Sequence, residues 1–205
     1  YQPRIPLNKN YYDLTDVNIL QWQADIARKY GVYGFCYYHY WFEGKLLMEK
    51  PIELMLNHKE IDLPFCICWA NHTWTKAWAS HNREIIMEQK YGTEEDWKKH
   101  FEYFLPFFKD SRYIRIDEKP LLVIYRPNDI PNLEDMLKYW NEISKEHGLS
   151  GICYAYQHYD YNHKKDKGGD LFSYGIEFQP GKIKDEQLIH TLPIMWRKLK
   201  NIVVN

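Results

Sequence analysis

The chain contains no G-x-G-x-x-G run, no Walker-type phosphate loop and no G-x-S-x-G elbow. Those absences remove the usual sequence signs of dinucleotide binding, nucleoside triphosphate binding and serine hydrolysis. It also has no H-x-x-x-H or D-x-D pair. His158 and His163 share a loop without a clear third ligand, and the Cys66/Cys68 pair lacks zinc-site spacing, so neither metal nor cofactor is expected. No apolar run approaches the roughly 18 residues of a membrane span. An excess of either charge is missing too: 27 Lys+Arg stand against 28 Asp+Glu, a formal net charge of −1. That balance speaks against nucleic-acid binding, which normally needs a basic face. The polar start, YQPRIPLNKNYYDLTD, lacks the charged-then-apolar layout of a secretory leader.

Cysteine is sparse. Cys36, Cys66, Cys68 and Cys153 each sit inside an apolar, strand-like run. Reduced, packed core thiols are the expectation, which fits a reducing, cytoplasmic setting. Cys66 and Cys68 are two residues apart and are expected on one face of a strand.

Aromatic residues are what the chain has in excess: 17%, made of 18 Tyr, 9 Phe and 8 Trp. So much apolar surface excludes disorder. The 205 residues alternate helical and strand-like segments, without internal repeats or linkers, and read as one domain. A helix is predicted from Val17 to Tyr30, capped by Thr15 or Asp16 and stopped by Gly31. Further helices are predicted from Pro51 to about His58 and from Thr93, with Asp96 in a capping box, to about Leu105. Two more run from Asn132 to His147 and over 185–201. Strands are predicted at Gly31–Phe42, Leu63–Ala70, Leu121–Tyr125, Gly151–Tyr156 and Leu171–Phe178, with an extra short one at Glu84–Glu88. Near-continuous apolar strands alternating with helices imply a parallel sheet buried on both faces. The repeat of about 30 residues suits a (β/α)8 barrel of roughly 250 residues. Five strands make either a piece of such a barrel or an open doubly wound sheet.

In either architecture the site lies at the C-terminal strand ends. Those ends read YYHYWFEG, CWANHTWTKAW, IYRPND, YAYQHYDY and IEFQPG. All carry aromatics beside hydrogen-bonding groups. A sugar offers an apolar C–H face and a fringe of hydroxyls, and Trp, Tyr, Asn, His, Arg and Gln match both. The candidate substrate-binding residues are Tyr38, His39, Trp41, Asn71, His72, Trp74, Tyr125 and Arg126. Glu177, ending the last strand, is the candidate catalytic carboxylate, since a carboxyl in an apolar run must be paired or shifted in pKa. Asp160 and Lys164 to Lys167 read as solvated surface.

The runs YDLTD, YGVYGFCYYHYWFEGK, KPIE, PFCICWAN, IIMEQKY, RYIRIDEKPLLVIYRP and IEFQP together resemble the WbsX-type glycosyltransferase family. That family is related to glycoside hydrolase family 99 and its endo-α-mannosidases. The resemblance implies a (β/α)8 barrel acting on glycans of bacterial surface polysaccharide, an O-antigen-type setting. The family's opening strand, like FYLPQFH, and its carboxylate-bearing strand, like NEWAEG, have no counterpart here. The chain is therefore expected to be an incomplete central portion of the barrel, with the catalytic pair beyond residue 205. After CWAN the family usually continues close to ENWTRRW, whereas here His72 to Trp78 read HTWTKAW. The positions of Glu88 and Glu177 match the family pattern. The expected function is glycosyl transfer or glycoside hydrolysis on a glycan or activated sugar. The alternative is a non-catalytic glycan-binding module. Aromatic stacking on nucleic acid is a third reading that the charge balance disfavours.

Overall fold

A computed structural model describes residues 4–76, 84–158 and 169–177. In chain order its elements are α1 (Val17–Lys29), β1 (Phe35–Phe42), β2 (Lys45–Leu47), α2 (Lys50–Asn57), β3 (Phe65–Trp69), β4 (Trp74–Thr75), β5 (Ile85–Met87), α3 (Glu94–Phe108), β6 (Arg115–Ile116), β7 (Lys119–Ile124), α4 (Leu133–Glu146), β8 (Cys153–His158) and β9 (Tyr174–Glu177). The helix expected over 185–201, together with Trp78, Asp160, His163 and Lys164 to Lys167, lies outside the described residues.

Local chemistry sets the boundaries. The Asp16 carboxylate accepts the Asn18 N–H at 2.9 Å and caps α1. Gly31 then takes φ +75°, a left-handed turn that glycine allows without strain. Thr93 and Asp96 form the reciprocal capping box of α3. That helix does not stop near Leu105 but continues through Pro106 to Phe108. Burial of Phe104, Phe107 and Phe108, each at most 1% exposed, holds the last turn against the proline.

β1, β3, β7, β8 and β9 pair in parallel, and their order across the sheet repeats their order in the chain. A doubly wound sheet reverses direction at a switch point; among the described strands this one does not. β2 pairs antiparallel with β1 at one edge, β6 forms a small hairpin with β7, and β4 and β5 pair with each other outside the main sheet. The expected extra strand at Glu84–Glu88 is thus present as β5, in a hairpin of its own. The main sheet is open, with β2 and β9 at its edges, and no closed barrel is seen among the described residues.

The two faces of the sheet differ. Phe65, Ile67, Trp69, Leu122, Ile124 and Tyr154 join buried residues of all four helices in one core. Cys68, Val123 and Ala155 form a separate, smaller cluster on the opposite face. Strand periodicity produces this split, since alternate residues point to opposite sides. Cys66, Cys68 and Cys153 are buried and all four cysteines are free thiols, but Cys36 is exposed and is not the packed core thiol expected. β1 lies beside the sheet edge, so its open-face residues have strand neighbours mainly on one side. In the β1–β3 register Cys36 stands opposite Cys66 and Tyr38 opposite Cys68, so Cys66 and Cys68 lie on one face of the strand, as the spacing predicts. No helix among the described residues is long and apolar enough to cross a membrane.

Candidate glycan site at the strand ends

Register aligns Tyr38, Cys68, Val123, Ala155 and Tyr174 in one row across the five parallel strands. This row is on the face turned away from the helices. The next row, His39, Trp69, Ile124 and Tyr156, faces the helical layer. One residue of offset therefore separates a candidate contact surface from core packing.

Toward the C-terminal ends, aromatic rings on the first face touch one another in sequence. Trp74 meets Tyr40 edge-on at 5.1 Å between centroids, and Tyr40 lies 6.4 Å from Tyr38. Tyr38 meets Tyr125 edge-on at 6.1 Å, and Tyr125 lies 5.3 Å from the His72 ring. The Arg126 guanidinium sits 5.4 Å from the Tyr125 centroid, a cation–π contact, and pairs with Asp129 at 3.7 Å. Tyr38 is 43% exposed, so the wall is open to a ligand. Residues distant in the chain thus make one aromatic surface with polar groups at its margin.

Asn71 builds the frame of this site. It is fully buried, and its Oδ1 accepts the Arg126 N–H at 2.8 Å while its Nδ2 donates to the Arg126 carbonyl at 2.7 Å. The Tyr91 hydroxyl donates to the Asn71 carbonyl at 3.1 Å. The carboxamide mimics a strand neighbour and ties the end of β3 to the end of β7. Its polar atoms are committed to the chain, so Asn71 positions Arg126 instead of reaching outward.

His72 follows, half-buried, its Nδ1 enclosed and without a hydrogen-bond partner among the described residues. Burial lowers its pKa first, and the neighbouring Arg126 charge lowers it further, against a smaller opposing effect of Asp129. A neutral imidazole at the edge of an aromatic wall can exchange a hydrogen bond with a hydroxyl without adding charge.

Other sequence candidates lie elsewhere. His39 is 2% exposed and packs into the helical core, its Nε2 2.9 Å from His100 Nε2, with Tyr103 stacked on it at 5.1 Å. Burial pushes its pKa down to about 3. Trp41, 9% exposed, stacks on His100 at 4.5 Å and 6°. Both back the site from the helical side and do not line the open face. The backbone of Glu177 pairs with His158 at the end of β9, and its side chain lies outside the described residues. Tyr40 and Gln157 belong to the open face although the strand-end motifs did not single them out. Their signal was parity: each is two residues beyond a member of the aligned row. Among the described residues no group of three or more His, Cys, Asp or Glu is placed to hold a metal ion.

Comparison with known proteins adds three findings. The family described as glycosyltransferase WbsX matches residues 1–202. An uncharacterized protein WxcX, present in two strains of Xanthomonas campestris pv. campestris, is 32% identical over 180 residues covering 87% of this chain. The chain spans 25% of the length of those relatives. A solved structure titled glycoside hydrolase-like protein aligns with a TM-score of 0.51 at 10% identity, over 75% of this chain and 49% of its own. At that identity the likeness concerns the fold alone.

Proposed function

The chain belongs to the WbsX glycosyltransferase family, and on that premise we propose that it forms the glycan-binding part of a domain that transfers or hydrolyses glycosyl groups. The observation that carries the reading is the continuous wall of Trp74, Tyr40, Tyr38, Tyr125 and His72 across the ends of three strands. Flat apolar rings suit the C–H faces of sugars, and His72 and Arg126 at the margin suit the hydroxyls. The family assignment points to carbohydrate chemistry independently of that geometry.

The proposed roles differ by residue. Tyr38, His72, Trp74, Tyr125 and Arg126 contact the sugar. Asn71 positions Arg126, and His39 with Trp41 supports the strand ends from behind. Glu177, at the end of β9, supplies a carboxyl group for chemistry that in glycosidases uses a pair of them around an oxocarbenium-like transition state. Strand order without reversal supports reading these strands as part of a (β/α)8 barrel. Bacterial surface polysaccharide is the proposed metabolic setting, in the cytoplasm.

The test uses the intact protein with a panel of bacterial surface oligosaccharides. Turnover or binding by the wild type, weakened about tenfold or more in Tyr125→Ala and Trp74→Ala, supports the reading. Absence of any glycan binding overturns it. Binding without turnover identifies a glycan-binding module, and full turnover in Glu177→Gln removes that residue from the chemistry.

A further inference from the structure

Gln157 is the next-to-last residue of β8, 8% exposed, on the face turned away from the helices. Its carboxamide oxygen has two donors. The Tyr38 hydroxyl donates to Oε1 at 3.3 Å, and the Cys68 thiol approaches the same atom at 3.9 Å. Tyr38 belongs to β1 and Cys68 to β3, so the three side chains lie across the strands between them. Small residues beneath, Cys68, Val123 and Ala155, leave the room for this.

The consequence is orientation. A carbonyl oxygen has two lone pairs, and both are engaged. An amide whose oxygen is fixed has its nitrogen fixed as well, so Nε2 must aim its two N–H groups away from Tyr38 and Cys68. Among the described residues nothing accepts from Nε2. Gln157 is two residues beyond Ala155 and so shares the open face, where its carboxamide lies beside the Tyr38–Tyr125 contact of the aromatic wall.

We propose that Gln157 is a ligand-binding residue, its Nε2 donating to a neutral acceptor oxygen on a sugar seated against Tyr38 and Tyr125. The assignment rests on the glycan reading above and deepens it by naming what the ligand must present: an oxygen acceptor over the middle of the sheet. Tyr38 then has two duties, one face of its ring for the sugar and its hydroxyl for holding the carboxamide.

The experiment is calorimetry of the intact protein with the tightest-binding member of the oligosaccharide panel. Gln157→Glu keeps side-chain length and an acceptor for Tyr38 and Cys68 but removes both N–H donors. Gln157→Met keeps length and removes all polarity. Each is expected to weaken binding about tenfold or more, the usual consequence of leaving a site's hydrogen bond unmade. Tyr38→Phe, which frees the carboxamide to turn, should weaken it as well. Affinities within twofold of wild type in both Gln157 variants overturn the inference while leaving the glycan reading intact; a wild type that binds no glycan overturns both. Should a variant fail to fold, the wild-type Gln157 side-chain amide signals in ¹⁵N–¹H spectra decide: they must shift on adding the oligosaccharide, and unshifted signals overturn the assignment.

Discussion

Lowering the pH from 7 to 5 should destabilise the fold in a way that traces to two buried imidazoles. His39 and His100 are each 2% exposed and meet through their Nε2 atoms at 2.9 Å. One nitrogen must donate and the other accept, so the contact cannot survive protonation of both rings, and burial opposes a charge on either. Burial lowers both pKa values, that of His39 to about 3, and proximity to His39 lowers His100 further. The unfolded chain, with ordinary histidines near 6.5, takes up protons below that pH that the folded chain refuses. The stabilisation is therefore complete above pH 6.5 and is lost as pH falls from there toward the folded values. Linkage makes the loss about 2 kcal/mol per imidazole between pH 7 and pH 5, about 4 kcal/mol for the pair. Against a total stability of about 5–15 kcal/mol this is a large fraction. Urea unfolding followed by tryptophan fluorescence at pH 7 and pH 5 measures it, with the doubly substituted His39→Leu/His100→Leu chain as the control of reduced slope. An NMR titration in which either ring protonates between pH 6 and 7 in the folded state refutes the argument. So does a wild-type midpoint that does not move.

Arg112→Lys should cost about 3 kcal/mol while leaving the strand ends in place. The guanidinium holds Asp110 with two hydrogen bonds and donates to the carbonyls of Met55, His58 and Ile61, a set of directions that an ammonium cannot reproduce. Burial alone would raise the Asp110 carboxyl, but hydrogen bonds from Arg112 and Lys59 outweigh it and hold it below its usual range, so this contribution is lost only under acid, below about pH 4, a window distinct from that of the histidines. Denaturant melts at pH 7 and pH 3 separate the two. Gly34→Ala should lower stability by about 2–3 kcal/mol, because a Cβ there would lie 2.3 Å from the Pro64 carbonyl oxygen, where backbone meets backbone and neither can yield. A thermal melt unchanged from wild type would show that the chain before β1 shifts freely.

Reading the chain alone determined its period, its class and its family resemblance. Apolar runs of strand length separated by capped helices implied a parallel sheet buried on both faces; the sheet is parallel, but the four described helices all pack on one face. Asp16, Gly31, Thr93 and Gly148 marked helix ends that recur in the fold within a few residues. The concentration of aromatics at strand ends was legible too, because it is a property of position along the chain. Two things were not. Parity inside YYHYWF decides that Tyr38 and Tyr40 face outward while His39 and Trp41 enter the helical core, and a run apolar on both faces carries no alternation from which to read it. The partnership of residues 55 or 119 positions apart, Asn71 with Arg126 and Tyr38 with Gln157, depends on register between strands. Only the folded sheet supplies that register. It turned Asn71 from a sugar contact into a clamp, and it brought Gln157 from an unmarked place in YAYQHYDY to the centre of the open face.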